Sequence, residues 1–336
     1  MTATLELPDC REIAFTPILE AAKPASQQQV AIVVDACAEL DPTFIARYGL
    51  HVMPRTVRVD GQTMTLGPQR TLHHSCWEQP PRRIVVQPYA LGELAQFYGA
   101  ILDRGLNVLA LHPPTLMDRM AQQARTARSI LLAGPSSATE VAPRVAVQEI
   151  IAVGVVFAFL VEAAARGAAQ GMALPQLLTF LDRLQATPRG YYITGMRGPV
   201  RQMRNKLRQA GVAPFGAEQV WELDYTSKRF VCRARVKRAT LLFEPQQLLA
   251  DVAPTHIRAF NTQLLTRLNA QRAKAEQEPL PVQPGGLSLM SCFPNGCIEL
   301  AALPDEAHIE YILDVIRRID RPAAQSARGI LKRGGI

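Results

Sequence analysis

The sequence predicts an α/β protein in which a mainly parallel sheet domain is followed by an α+β domain with an antiparallel sheet. Short runs, Val30–Val34 wholly apolar and Leu106–Leu111 apolar but for Asn107, each stop at a polar residue and are separated by helical patterns, the texture of strands buried on both faces. Further along, Val220–Tyr225 and Phe230–Val236 alternate polar with apolar residues around Ser227-Lys228-Arg229, which is the texture of an antiparallel hairpin. With 336 residues, 48% of them hydrophobic and 20% charged, the chain has a globular composition and more length than one ordinary domain needs.

The elements follow in order. Residues 1–29 end in the polar stretch Lys23–Gln29 and read as an N-terminal extension. After Val30–Val34 and Asp35, Asp41 caps a short helix that has Pro42 at its first position. Gly49 ends that helix, and the β-rich run Leu50–Val59 leads to the turn Asp60-Gly61. Thr65–Arg83 is irregular; Ile84–Val86 is a short strand stopped by Gln87-Pro88. Ala90–Arg104 is an amphipathic helix with Leu91, Leu94, Ala95, Tyr98, Ile101 and Leu102 on one face, closed by Gly105. Strand Leu106–Leu111 ends at His112-Pro113-Pro114, Thr115 caps a helix running to about Arg128, and Ser129–Ala133 is the next strand.

Ala146–Gln170 reads as a long helix, Leu174–Gln185 as a second, Tyr191–Thr194 as a strand and Gly198–Gln209 as a cationic helix. After the hairpin, Thr255–Glu276 is a helix with Ile257, Phe260, Leu264 and Leu268 in one stripe. Leu287–Phe293 and Cys297–Ala302 form a second hairpin around Pro294-Asn295-Gly296, and Pro304 opens a last helix. The expected domains are residues 30–190 and 191–322, with a basic tail at 323–336.

The formal net charge of +8 is compatible with an anionic partner. Six scattered cysteines with no Cys-x-x-Cys pair suit reduced thiols in the cytoplasm. Glu6, Asp9, Arg11 and Glu12 interrupt any signal-peptide core. The longest apolar run, Ile150–Val161, is 12 residues, against the roughly 20 that a membrane span needs; it reads as a buried helix. His73-His74-Ser75-Cys76 has no second ligand cluster at zinc-like spacing and reads as a loop. Nucleotide-loop and nucleophile-elbow motifs are absent. No cofactor is expected.

Asp35, then Gly49, Leu50, Val52, Met53 and Pro54, then Asp60 and Gly61 follow in the order of an apolar strand ending in Asp, a helix, a Gly-Ile-x-Val-Val-Pro strand and an Asp-Gly turn. In this the chain resembles the DegV family of bacterial fatty-acid-binding proteins, and the resemblance continues through Gln87-Pro88, Leu94–Gly105 and the apolar helix near 150–166. It implies a non-catalytic carrier: hydroxyls at the strand ends hold a fatty-acid carboxylate, an apolar tunnel between two domains takes the chain, and a separate kinase phosphorylates the presented acid. This sequence departs from the family where the hydroxyls belong. Asp-Ser-Thr is Asp35-Ala36-Cys37, the Thr-Ser before Gln-Pro is Val85-Val86, the Ser after it is Tyr89, the next Ser-Ser is Pro113-Pro114, and Ser-Gly-Thr is Met117-Asp118-Arg119.

Ligands of open α/β sheets bind outside the carboxyl ends of the strands. The candidate ligand residues are therefore Asp35, Cys37, Val86, Gln87, His112 and Thr115. The expected function is binding of a fatty acid or other lipid, or another apolar ligand, without catalysis, with the carboxylate-binding hydroxyls largely missing. The alternative is a ligand-free interaction subunit that docks an acidic protein, a kinase among the candidates. It would use Arg197, Arg201, Arg204 and Arg208, which line one helix face, and Arg233 and Arg235, which share a strand face by alternation. Nucleic acid is not expected, because no aromatic residues interleave with the arginines.

Overall fold

The computed structural model describes residues 29–38, 40–67, 84–115, 119–133, 144–194, 218–236, 256–260, 270, 273–274, 283–284, 297–305 and 307–312. The expected N-terminal extension (apart from Gln29), the His73–Cys76 loop, the Arg197–Arg208 stripe and the basic tail lie outside these residues.

The chain opens with β1 (Val30–Asp35), whose six residues are all buried. Alternation along it serves two cores. Val30, Ile32 and Val34 join one apolar cluster, while Ala31 and Val33 join another on the opposite face. Helix α1 (Pro42–Tyr48) is capped as expected, the Asp41 carboxylate accepting from the Thr43 backbone at 2.7 Å, and Gly49 takes the left-handed position after it at φ 59°. β2 (His51–Met53) then pairs parallel to β1, with Val34 opposite Val52.

Pro54 follows, and the next strands leave this sheet. β3 (Arg55–Val59), β4 (Gln62–Leu66) and β5 (Ile84–Val86) form a small antiparallel sheet in the order β4-β3-β5. Its hairpin turns at Asp60 and Gly61, both with positive φ, 46° and 94°, as a two-residue turn between twisted strands requires.

The parallel sheet resumes with α2 (Leu91–Leu102) and β6 (Asn107–His112). Helix α3 (Met120–Leu132) leads to β7 (Val145–Glu149), and the order is β2-β1-β6-β7, all parallel. Helices α2 and α3 cover one face. Helices α4 (Gly154–Ala169) and α5 (Leu174–Leu184) cover the other. Two expectations are corrected here. Ser129–Ala133 is not a strand: Ser129–Leu132 is the last turn of α3, because a short apolar run fits a helix end and a buried strand equally well. The strand is Val145–Glu149, and the expected helix from Ala146 starts only at Gly154. Gly154, at φ 60°, separates the two elements.

Twelve of the sixteen residues of α4 are buried, which bears out the buried-helix reading of the Ile150–Val161 run. It packs on β1 and also on a second, six-stranded sheet drawn from residue 189 onward. That sheet runs β10-β9-β8-β13-β11-β12, from β8 (Arg189–Thr194), β9 (Glu218–Asp224), β10 (Arg229–Val236), β11 (His256–Phe260), β12 (Gln283–Pro284) and β13 (Cys297–Ala302). All its pairings are antiparallel except β11 with β12. Its buried aromatics are Trp221, Tyr192 and Phe230, the last two edge to face at 5.6 Å.

The β9–β10 hairpin is the expected one. The start of the expected helix Thr255–Glu276 is instead strand β11. Ile257 and Phe260 suited a helical stripe, but Ile257 also alternates with His256 and Arg258, and the free edge of β13 decides the matter. β13 is flanked by β8 and β11; Leu287–Phe293, its expected hairpin partner, lies outside the described residues. Among the described residues no helix is long and apolar enough to cross a membrane.

Candidate functional site

From β1 the chain moves to β2 on one side, and β6 later adds to the other side of β1. The direction of winding therefore reverses between β1 and β6. A crevice opens at such a switch point, outside the carboxyl ends of the strands. The residues that end these two strands are Asp35 and His112, both fully buried.

Asp35 uses both carboxylate oxygens. Oδ1 accepts from the Cys37 backbone N–H at 2.8 Å, which folds Ala36–Ala38 into a single tight turn. Oδ2 accepts from Arg55 Nη1 at 2.8 Å, and the two side chains are 0% and 3% exposed. Arg55 begins β3, directly after the proline that ends the parallel run. Its guanidinium also lies over the ring of Tyr89, 5.7 Å from the centroid, and the Tyr89 hydroxyl donates to the Met53 carbonyl at 3.2 Å. Tyr98, from the buried face of α2, places its hydroxyl 3.4 Å from His112 Nε2. Burial first, and the nearby Asp35 charge second, push both tyrosine hydroxyls above their ordinary range, so each stays a neutral O–H.

The neighbouring strand ends are occupied in the same manner. Glu149, the last residue of β7, accepts from the Thr115 backbone N–H and pairs with Arg125 Nη2 at 3.3 Å. Burial would raise its carboxyl, but the Thr115 hydrogen bonds and Arg125 outweigh that and hold it below the usual value. Past β7, the N-terminus of α4 meets Glu299 of β13, whose Oε1 accepts from the Val155 N–H at 2.9 Å. Gly154 lacks the Cβ that would stand 2.4 Å from both Glu299 oxygens.

Asp35, Cys37 and His112 thus come together at the switch point. Val86 and Gln87 do not end a strand of the parallel sheet: β5 pairs with β3, and the Gln87 N–H donates to the Thr56 carbonyl at 2.9 Å. Thr115 does not cap α3, which begins at Met120; its N–H is held by Glu149 instead. Arg233 and Arg235 lie on β10, whose backbone register shifts between Cys232 and Ala234. Arg55, Tyr89, Tyr98, Glu149 and Glu299 had no signal of their own as site residues. The nearest hint was a lone arginine opening a strand after Pro54.

At the edge of this region His51 titrates against the fold. Burial, with Arg104 adding to it, lowers its pKa from 6.5 to about 4. Between those values the unfolded chain binds a proton that the folded chain does not. Stability should fall as pH drops from 6.5 toward 4, and His51→Phe should flatten that part of a urea-midpoint profile.

No curated protein matches the sequence. Residues 29–195 match a family described as "Uncharacterised protein, DegV family". Among solved structures, the chain is similar to a DegV family protein from Thermus thermophilus described for its fatty acid binding, with 17% identity, TM-score 0.58, and coverage of 82% of this chain and 100% of that one. It is also similar to a stearic-acid-binding protein from Eubacterium ventriosum, with 14% identity, TM-score 0.58, and coverage of 82% and 98%. A third is DegV, a fatty acid binding protein from Bacillus subtilis, with 13% identity, TM-score 0.57, and coverage of 82% and 100%.

Proposed function

We propose, from the premise that this chain belongs to the DegV family over residues 29–195, that it binds a fatty acid or other lipid without catalysis. The observation that carries this reading is the buried polar cluster of Asp35, Arg55, Tyr98 and His112 at the switch point, where open α/β sheets hold their ligands. Solved relatives of the same fold are described as binding fatty acids, one of them stearic acid. The ligand's apolar chain would run between the α/β domain and the domain of the six-stranded sheet. The reading puts the protein in the cytoplasm, and the buried thiols of Cys37 and Cys297 are compatible with that.

Native mass spectrometry of the purified protein, followed by solvent extraction, tests the reading. A stoichiometric acyl ligand is the expected result. An empty protein that also takes up no added lipid would end it. The second reading is docking of an acidic protein, which is favoured by one feature: among the described strands, β10, which carries Arg233 and Arg235, is an edge of its sheet.

A further inference from the structure

Three donor sites stand at the carboxyl end of the parallel sheet, each of a kind that holds a carboxylate. They are a buried guanidinium at Arg55, the loop N–H of Thr115, and the first-turn N–H of a sixteen-residue helix at Val155. Each is already met by a carboxyl group of the chain. Asp35 holds Arg55 at 2.8 Å, Glu149 holds Thr115, and Glu299 holds Val155 at 2.9 Å. These three acceptors come from three different strand positions: the ends of β1 and β7, and the middle of β13. An incoming carboxylate would have to displace one of them and then lie beside the others. Among the groups at the switch point are the neutral hydroxyls of Tyr89 and Tyr98, and such hydroxyls both donate and accept.

We propose that this site, on the reading that it binds lipid, takes an acyl chain with an uncharged hydroxyl-bearing head, a fatty alcohol or a monoacylglycerol, in place of a fatty-acid carboxylate. The chain's own carboxyl groups already take the donors that a ligand carboxylate would need.

Delipidated full-length protein is titrated separately with palmitate, hexadecanol and 1-monopalmitoylglycerol, and the bound fraction is read by native mass spectrometry. At least one uncharged probe should bind at least about tenfold more tightly than palmitate, the scale of one charged hydrogen bond left unmade. The tighter of the two uncharged probes identifies the head. Asp35→Asn and Glu149→Gln should each shift the ratio toward palmitate by about tenfold. Glu149 is partly exposed, so its variant keeps the test open if the Asp35 variant fails to fold. Palmitate binding as tightly as both uncharged probes would overturn the proposal and leave the lipid-binding reading intact. Binding of none of the three would overturn both. A preference for uncharged heads that no folded variant moves would also overturn it, because the chain's carboxyl groups would then not be its cause.

Discussion

Replacing Arg55 with alanine should lower the stability of the protein by about 3–5 kcal/mol, the usual consequence of removing one partner from a buried ion pair. The expectation rests on what is left behind. Asp35 is 0% exposed, and without the guanidinium it keeps only the Cys37 N–H among its observed donors. A carboxylate so placed is shut off from bulk solvent and has lost its guanidinium countercharge. Asp35→Ala should also be harmful, because it removes the carboxylate that accepts from Arg55, a guanidinium only 2% exposed. The pair itself need not be worth that much. Substituting both residues with apolar ones of similar volume, Asp35→Leu with Arg55→Met, should recover most of the loss. Urea unfolding of Asp35→Leu, Arg55→Met and the variant that combines them measures this as a cycle. Strict additivity would mean that the two side chains do not depend on each other and that no coupled ion pair holds the switch point together.

The sequence carried the framework of this region better than its chemistry. Val30–Val34 and Leu106–Leu111 announce themselves as strands because they serve two cores at once and so are apolar but for Asn107 near the start of the second, and the strand ends Asp35 and His112 follow from them. Their partners could not be found the same way. Arg55 is 20 residues from Asp35, and Tyr98 is 14 residues from His112. Val155 is 144 residues from Glu299. No local period connects such pairs, and each of these side chains has an ordinary local explanation, a strand residue or a core aromatic. The misread elements failed for a related reason. Ser129–Ala133 and His256–Phe260 are only five residues each, too short for periodicity to separate helix from strand, and their neighbours in space made the choice.

Gly154→Ala should destabilise the protein by about 2.5–5 kcal/mol through two effects at one atom. The first is conformational: at φ 60° the residue is left-handed, which costs an L-residue about 1–2 kcal/mol. The second is steric and then electrostatic. The new Cβ would lie 2.4 Å from both Glu299 oxygens, so the carboxyl group must leave, and with it goes the hydrogen bond to the Val155 N–H. Displacing a buried group of this kind costs about 1.5–3 kcal/mol. Glu299→Ala separates the two effects. In that background the added methyl meets no carboxyl group, and Gly154→Ala should then cost only the backbone part, about 1–2 kcal/mol. An equal loss in both backgrounds would show that the Glu299 contact is not what fixes this glycine. A smaller loss would mean that the Glu299 carboxyl group is what fixes this glycine, at the end of the fold where the ligand is expected to bind.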